Sequence, residues 1–168
     1  KLLFSKNVKK IIMVLEVKSV SLKRNKKLLF KDLNLNLKKS QIMILKGSNG
    51  VGKSSLLEAI IGILELSSGE IKINGGSNLN AGRFFTFIGH NNSLKEELTV
   101  IENLRLWLKL NGHYFEDLEI INKLSFFRIN HLFDHKINLL SAGQKRKVAL
   151  SKLLFSTCNL WILDEPTN

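Results

Sequence analysis

The spacing of hydrophobic and polar residues predicts an antiparallel β-strand near the start of the chain. Leu33, Leu35 and Leu37 alternate strictly with polar residues, and this period of two is typical of a strand with one solvated face. Two later stretches, residues 41–46 and 160–163, are short and almost continuously apolar. Such runs are typical of parallel strands that are buried on both faces. The chain is therefore predicted to contain both kinds of strand.

Other stretches show the spacing of an α-helix. Apolar residues recur at helical intervals over residues 56–64 and 101–108. A third stretch, 148–155, follows Ser141, a residue type that favours the first position of a helix. Strands and helices in this order predict an α/β fold with a parallel-sheet core, a small antiparallel β-subdomain and a helical subdomain at about 93–140.

One domain is expected from the length of the chain. A chain of 168 residues can bury a sizeable core as a single domain. Met13 opens a run that fits a first strand, so the domain is predicted to cover 13–168, after a basic N-terminal extension at 1–12. A targeting segment is the alternative for the basic stretch Lys1–Lys10, although the Arg- and Ser-rich pattern of a transit peptide is missing.

A glycine-rich motif lies between the predicted strand at 41–46 and the helix that follows. Residues 47–54 read GSNGVGKS and fit the pattern G-x-x-x-x-G-K-[ST] at every fixed position. Glycines let backbone amides approach phosphate groups, and the helix dipole adds attraction for an anion. Lys53 would reach the β- and γ-phosphates of ATP, and the Ser54 hydroxyl would bind Mg²⁺. A plain glycine-rich turn is the alternative, which the flanking strand and helix disfavour.

The residues predicted to bind ATP are Gly47, Ser48, Asn49, Gly50, Val51, Gly52, Lys53, Ser54 and Ser55.

Two carboxylates follow the predicted strand at 160–163. An acid at the carboxyl end of a strand beside a phosphate loop can hold Mg²⁺ through water, which is the role predicted for Asp164. The adjacent Glu165 can polarise the attacking water, and we predict that it is the catalytic general base. A solvated acidic pair is the alternative, and it would be favoured if the phosphate loop were absent.

The segment at 140–144 reads LSAGQ and resembles the LSGGQ signature of ABC ATPases. It precedes the string LWILDEP around the acid pair, which resembles the Walker B segment of that family. The resemblance implies a P-loop NTPase fold and two subunits that enclose ATP. In that family the signature contacts the γ-phosphate that the other subunit holds, which assigns this role to Ser141, Ala142, Gly143 and Gln144.

Two further assignments follow from the same resemblance. His90 stands where ABC ATPases usually carry a glutamine that senses Mg²⁺, so His90 is expected to contact the metal or its water. A surface histidine is the alternative. Arg24 falls near the place where the family stacks an aromatic residue on adenine, and a guanidinium can also stack on a base. A solvated loop arginine is the alternative there.

Within the ABC ATPases, the chain resembles the cytochrome c maturation type, the CcmA or haem exporter family. The stretches GSNGVGKSSLL and LTVIENLRLW carry this resemblance, together with His90 and the alanine in LSAGQ. It implies a homodimer of ATPase subunits on an inner membrane, at the cytoplasmic face in a bacterium or the matrix face in a mitochondrion. The implied partners are a CcmB-like multispanning subunit and other cytochrome c maturation proteins. ATP hydrolysis would serve haem export or release of a haem-loaded chaperone.

Composition leaves two alternatives open. The net charge of +12 fits a soluble ABC ATPase acting on ribosomes or nucleic acid, but ATP and anionic lipids also favour a basic surface, so nucleic acid is the less favoured partner. No apolar run reaches the roughly 18–20 residues of a transmembrane helix, and one cysteine fits a reducing compartment. The family's D-loop, following strand and switch histidine do not follow the acid pair. We therefore expect a C-terminally incomplete domain, either a fragment of a working enzyme or a truncated remnant that is inactive alone.

Overall fold

The structure, a computed structural model, describes residues 13–24, 27–78 and 84–166. The predicted extension at 1–12 lies outside the described residues, as do the last two residues of the chain. The chain divides into two compact units, Lys1–Phe84 and Phe85–Asn168. The predicted domain at 13–168 and its helical subdomain at 93–140 stay predictions.

The first unit contains a four-stranded antiparallel sheet. Its strands are β1 (Met13–Arg24), β2 (Lys27–Lys38), β3 (Ser68–Ile73) and β4 (Gly76–Ser77), and they pair in the order β2-β1-β3-β4. On β2, the side chains of Leu33, Leu35 and Leu37 are half-buried, whereas the polar residues between them are exposed. The predicted strand with one solvated face is confirmed.

Strand β1 lies between β2 and β3, and several of its side chains are almost completely buried. Leu15 pairs with Leu37 on one side and with Ile73 on the other. Val17 is 1% exposed and Val20 is fully buried. Full burial of such a side chain contributes about 1.5–3 kcal/mol to stability. The central strand therefore holds the core of this unit.

Helix α1 (Lys53–Ile60) follows the glycine-rich loop, as predicted. It buries Leu56, Ala59 and Ile60, whose spacing places them on one helix face. The Asn78 side chain, 8% exposed, donates to the carbonyls of Ala59 (2.8 Å) and Ile60 (3.3 Å). These hydrogen bonds satisfy carbonyl groups that the end of a helix leaves without intrahelical partners.

The predicted buried strand at 41–46 is wrong. Residues 41–48 form neither helix nor strand, and Ile42 is 92%, Met43 40% and Ile44 72% exposed. An apolar strand buried on both faces needs neighbouring strands, which satisfy its backbone amides and carbonyls. No strand within the described residues pairs with this segment. Apolar composition alone therefore does not make it a strand.

The second unit contains a parallel pair of strands and three helices. Strands β5 (Phe85–Ile88) and β6 (Leu160–Leu163) pair in parallel along their whole length. The helices are α2 (Val100–Leu110), α3 (Asp117–Leu124) and α4 (Ala142–Ser151). Short 3-10 turns lie at Ser125–Phe127, Asn130–Leu132, Ile137–Leu139 and Lys152–Phe155. The predicted strand at 160–163 and the predicted helix start at Ser141 are confirmed.

The helices of the second unit enclose a hydrophobic core. Helix α2 contributes Val100, Leu104 and Leu108 from one face, and α3 contributes Ile120 and Leu124. Turns, loops and α4 complete the cluster with Ile129, Leu132, Ile137, Leu140, Val148 and Phe155. In the part of the chain that the structure describes, no helix has both the length and the apolar character needed to cross a bilayer.

The loop before α2 is fixed by three polar side chains. Thr99 begins the helix with a capping box in which Thr99 and Glu102 exchange side-chain-to-backbone hydrogen bonds. The Asn103 side chain, 5% exposed, donates to the carbonyls of Lys95 (3.0 Å), Leu98 (3.3 Å) and Thr99 (3.0 Å). It also accepts a hydrogen bond from the Lys95 amide (2.7 Å). One buried amide group therefore satisfies four backbone groups of this loop.

Candidate functional site

The glycine-rich loop at 47–54 leads directly into α1. The Lys53 ammonium donates to the backbone carbonyls of Gly47 (2.9 Å) and Ser48 (3.0 Å), so its side chain is folded over the loop. The Val51 amide donates to the Ser48 carbonyl (3.3 Å), which closes a turn. A cation in this position would meet an anion that binds to the loop amides.

Gly52 is the residue that lets the loop enter the helix. It is the N-cap of α1 with a φ of 109°, a conformation that L side chains rarely adopt. A Cβ atom here would lie 2.9 Å from the Phe30 ring and 3.4 Å from Leu29, both on β2. Gly52 provides no side-chain cap, and the amides of the first turn have no intrahelical partners. These amides are available to a phosphate group.

The two serines after Lys53 differ in exposure. Ser54 is exposed, so its hydroxyl is accessible to a metal ion, whereas Ser55 is 4% exposed. The Arg24 guanidinium donates to Ser55 Oγ (3.1 Å) and to Glu58 Oε2 (3.4 Å). Ser55 can therefore offer its backbone amide to a phosphate, while its hydroxyl is used by Arg24. Stacking of Arg24 on adenine stays a prediction.

The acid pair follows β6 without a break. The Asp164 amide donates to the Ile88 carbonyl (2.9 Å), which continues the parallel pairing beyond the strand. Asp164 is 8% exposed, whereas the Glu165 side chain is 38% exposed. Glu165 has a φ of 47°, in the left-handed region. This conformation costs a residue with a side chain about 1–2 kcal/mol, so surrounding contacts must hold it in place.

His90 lies within reach of the acid pair. Its Nδ1 is 3.2 Å from Glu165 Oε2, and its side chain is 70% exposed. The structure thus brings the histidine expected near the metal together with the predicted general base. A histidine in this position can orient the Glu165 carboxylate and exchange a proton with it. Contact between His90 and the metal stays a prediction.

Arg146 is a residue of this site that sequence reasoning missed. It is 7% exposed. Its guanidinium donates hydrogen bonds to the Gly89 carbonyl, directly before His90, and to the carbonyls of Asp164 and Glu165. In the sequence, Arg146 is only the middle residue of a basic run at 145–147. A usable signal was its spacing, since Arg146 lies three residues before the buried Ala149 and shares its helix face.

Lys152 is a second buried cation, just after α4. It is 4% exposed, and its Nζ donates to the carbonyls of Asn92 and Ser93, both at 3.3 Å. Burial lowers the pKa of Lys152 from 10.5 to about 8. The sequence pattern does not show this burial, because the carbonyls that accept the hydrogen bonds lie far away along the chain.

The segment at 141–144 forms the start of α4. Ser141 Oγ accepts a hydrogen bond from the Gln144 amide (3.2 Å), and Gln144 Oε1 accepts one from the Ser141 amide (2.8 Å). A helix start leaves four amides without intrahelical partners. The capping box uses those of Ser141 and Gln144, which leaves those of Ala142 and Gly143. All three residues from Ser141 to Gly143 are exposed, and a Cβ at Gly143 would meet nothing within 4 Å. An anion can approach the helix end here.

Each unit offers an oxygen donor of the kind that Mg²⁺, a hard cation, prefers. In the first unit Ser54 has an exposed hydroxyl at the start of α1, and in the second unit Asp164 has a carboxylate at the end of β6. That both hold one ion stays a prediction. An imidazole nitrogen suits this ion less well than oxygen. His90 therefore fits better as a partner of Glu165, or of a water on the metal, than as a direct ligand.

A glycine-rich loop before a helix, an acid pair at a strand end and a capped helix start are the features expected of an ATP-binding domain of the P-loop class. A family model described as ABC transporter matches residues 30–168. The chain belongs to the ABC transporter family, and as its ATP-binding domain it is an ATPase. The predicted family and enzyme class are confirmed.

Sequence comparison with named relatives shows which members of that family the chain resembles. The chain is 39% identical over 135 residues to the cytochrome c biogenesis ATP-binding export protein CcmA of Rickettsia conorii, covering 80% of this chain and 69% of that protein. It is 36% identical to the CcmA proteins of Brucella abortus, covering 92% of this chain and 72% of the relative, and of Vibrio cholerae, covering 91% and 76%. The chain is thus an ABC ATPase most like CcmA.

Solved structures confirm the predicted fold class. An ABC transporter ATP-binding protein from Pyrococcus furiosus matches with a TM-score of 0.83 and 26% identity, covering 90% of this chain and 75% of that one. A second structure, described as an ATP binding subunit of an ABC transporter, matches with a TM-score of 0.80 and 31% identity, covering 92% and 67%. The P-loop ABC ATPase fold is therefore established for this chain.

Proposed function

We propose that the chain is the ATP-hydrolysing subunit of a membrane-associated ABC complex for cytochrome c biogenesis. The observation that carries the proposal is the similarity to relatives named CcmA, which reaches 39% identity and extends over 92% of this chain. The uncapped loop amides and the paired Glu165 and His90 support it, because hydrolysis needs a phosphate cradle and a positioned base.

The loop residues bind the triphosphate in this proposal. Amides from Gly47 to Ser55 donate to phosphate oxygens, and Lys53 exchanges its hydrogen bonds to the Gly47 and Ser48 carbonyls for the β- and γ-phosphates. Mg²⁺, when bound, neutralises charge on the phosphates, and Ser54 and Asp164 would hold it, the latter through water. Glycine at 52 keeps the backbone clear of Phe30 while the loop wraps the anion.

Glu165 activates the water in this proposal. Its carboxylate accepts a proton from the water that attacks the γ-phosphorus in line, and the bond from that phosphorus to the leaving oxygen breaks. His90, 3.2 Å from Glu165 Oε2, holds the carboxylate in its rotamer. The acid pair thus separates two roles, with the buried Asp164 serving the metal and the more exposed Glu165 serving the water.

The open amides of Ala142 and Gly143 support a second role for α4. We infer that they bind the γ-phosphate held by another copy of the chain, so that two subunits enclose two ATP molecules. The complex would also contain a CcmB-like multispanning subunit and other cytochrome c maturation proteins. It would act on the cytoplasmic or matrix face of an inner membrane, in haem export or in release of a haem-loaded chaperone.

The catalytic assignment is tested by Glu165→Gln in the full form that the gene encodes, purified with its membrane partner. A general base contributes about 10²–10⁴-fold to a rate, so ATP turnover should fall by at least about 100-fold. Glu119→Gln removes an exposed carboxylate from α3 and is the control. Equal turnover in the wild type and Glu165→Gln would contradict the assignment.

The biological assignment is tested by affinity purification from membranes. The proposal predicts recovery together with a multispanning membrane protein, and loss of cytochrome c assembly when the gene is deleted. Recovery in the soluble fraction bound to nucleic acid would contradict it and favour an ATPase that acts on ribosomes or nucleic acid.

A further inference from the structure

The guanidinium of Arg146 uses its full hydrogen-bonding capacity. An arginine side chain has five N–H groups, and Arg146 makes five hydrogen bonds. The accepting atoms are all uncharged oxygens: the carbonyls of Asp164 (2.7 Å), Glu165 (2.9 Å), Pro166 (3.4 Å) and Gly89 (2.8 Å), and Oδ1 of Asn92 (3.1 Å). A buried cation satisfied in this way fixes the geometry of the backbone around it.

Three of these oxygens belong to consecutive residues around the predicted general base. Nη2 of Arg146 donates to the carbonyls of Asp164 and Glu165, and Nε donates to that of Pro166. Glu165 lies in the left-handed region between two of these carbonyls. Because this conformation is unfavourable for a residue with a side chain, the hydrogen bonds from Arg146 account for its persistence.

The remaining two hydrogen bonds reach the turn that carries His90. Nη1 of Arg146 donates to the Gly89 carbonyl, directly before His90, and to the Asn92 side chain. Lys152 also supports this turn, through hydrogen bonds to the carbonyls of Asn92 and Ser93. One guanidinium therefore sets the distance between the backbone of His90 and the backbone of Glu165.

We propose that Arg146 is a positioning residue for ATP hydrolysis, which holds Glu165 and His90 in their reactive arrangement without touching the substrate. The inference rests on the proposed hydrolytic role of Glu165. Arg146 itself lies on α4, whose first turn carries the open amides of Ala142 and Gly143. Helix α4 thus carries a candidate anion site at its N-terminus and, through Arg146, also contacts the backbone of the predicted general base.

The informative variant is Arg146→Lys, studied in the full-length protein with its membrane partner. Lysine keeps the charge but has three donors and no planar fork, so at least two hydrogen bonds are lost. Arg146→Gln removes the charge as well. The matched control is Lys147→Gln, which removes an exposed positive charge from the neighbouring position of α4.

Misplacement of a catalytic group by about 1 Å can cost about 100-fold in rate, so kcat for ATP should fall about 10- to 100-fold in Arg146→Lys. KM for ATP and nucleotide binding should stay near wild type in Arg146→Lys. The midpoint of urea unfolding should fall modestly, because buried carbonyls lose a partner, but the variant should remain folded under the assay conditions. All four quantities should stay near wild type in Lys147→Gln. Combining Arg146→Lys with Glu165→Gln should lower kcat no further than Glu165→Gln alone, because both act on the same step.

The inference is overturned if Arg146→Lys keeps kcat within twofold of wild type. It is equally overturned if kcat falls only together with nucleotide binding and with loss of folding under the assay conditions, since Arg146 would then serve folding alone. Loss of folding in Arg146→Gln leaves the lysine variant to decide. Absence of ATP turnover in the wild type would instead contradict the proposed function, and the two failures are thereby separated.

Discussion

Replacing Lys152 with methionine should remove a pH dependence from the stability of the protein. Methionine keeps a long unbranched side chain but lacks the ammonium. Lys152 is 4% exposed, and burial lowers its pKa from 10.5 to about 8 in the folded state. Between these two values the unfolded chain keeps a proton that the folded chain has lost. The free energy of unfolding must therefore rise with pH in this window.

The size of the effect follows from the two pKa values. They differ by about 2.5, and a difference of one corresponds to about 1.4 kcal/mol. At pH 7 the lysine is charged in both states, and burying that charge lowers the free energy of unfolding by about 3 kcal/mol. At pH 9.5 the folded state has released the proton, and about 2 kcal/mol of this loss is recovered.

Urea denaturation at pH 7 and pH 9.5 measures this difference. The free energy of unfolding of the wild type, taken relative to Lys152→Met, should increase by about 2 kcal/mol between the two conditions. Lys147→Met removes an exposed lysine from the middle of α4, the helix directly before Lys152, and controls for the loss of one positive charge. For each variant, the quantity compared is the difference in unfolding free energy from the wild type at the two pH values. If this difference changes with pH as little for Lys152→Met as for Lys147→Met, the reasoning is refuted.

Two further substitutions test the loop and the helical core. Gly52→Ala should prevent ATP binding, because φ is 109° there and the added Cβ would lie 2.9 Å from the Phe30 ring. Gly50→Ala, at a φ of 78° with open space around it, should cost only about 1–2 kcal/mol of backbone strain. Equal losses of affinity in nucleotide titrations of the two variants would contradict the steric argument. Asn103→Ala should lower the free energy of unfolding by about 2–3 kcal/mol, because buried backbone groups lose their partner. Asn111→Ala, which removes one exposed hydrogen bond, should cost less than about 1 kcal/mol in the same denaturation assay, and a similar loss in both would argue against burial as the cause.

Local rules account for the secondary structure around the candidate site that the sequence predicted correctly. The helix starts at Lys53 and Ser141 follow from a glycine-rich loop and a capping residue, which act over a few neighbouring positions. Helix starts of this kind depend on residues close in the chain, so the sequence contains their cause. The apolar run of β6 also indicated a strand correctly, but that strand forms because β5 pairs with it.

Long-range partners explain the parts that the sequence did not predict. The segment at 41–46 has the composition of a buried strand, but pairing decides whether a strand forms, and the described residues provide no pairing strand. Arg146 reads as one of three basic residues in a row, yet its contacts are with Gly89, Asn92 and the acid pair. Nothing in the spacing of Lys152 indicates that the carbonyls of residues 92 and 93 would bury it.

The sequence by itself determined which motifs this protein carries: a glycine-rich loop at 47–54 that fits the phosphate-loop pattern, an acid pair at 164–165 and a signature-like segment at 140–144, each formed by consecutive residues. The tertiary structure alone decided which side chains hold these motifs in place. His90 lies beside Glu165 because β5 and β6, which precede these two residues, pair in parallel. Arg146 on α4 then links the two segments that follow these strands through hydrogen bonds to the carbonyls of Gly89 and Glu165. Motifs are local in the chain, whereas the positions of charged groups in a site depend on burial and on partners that folding brings together.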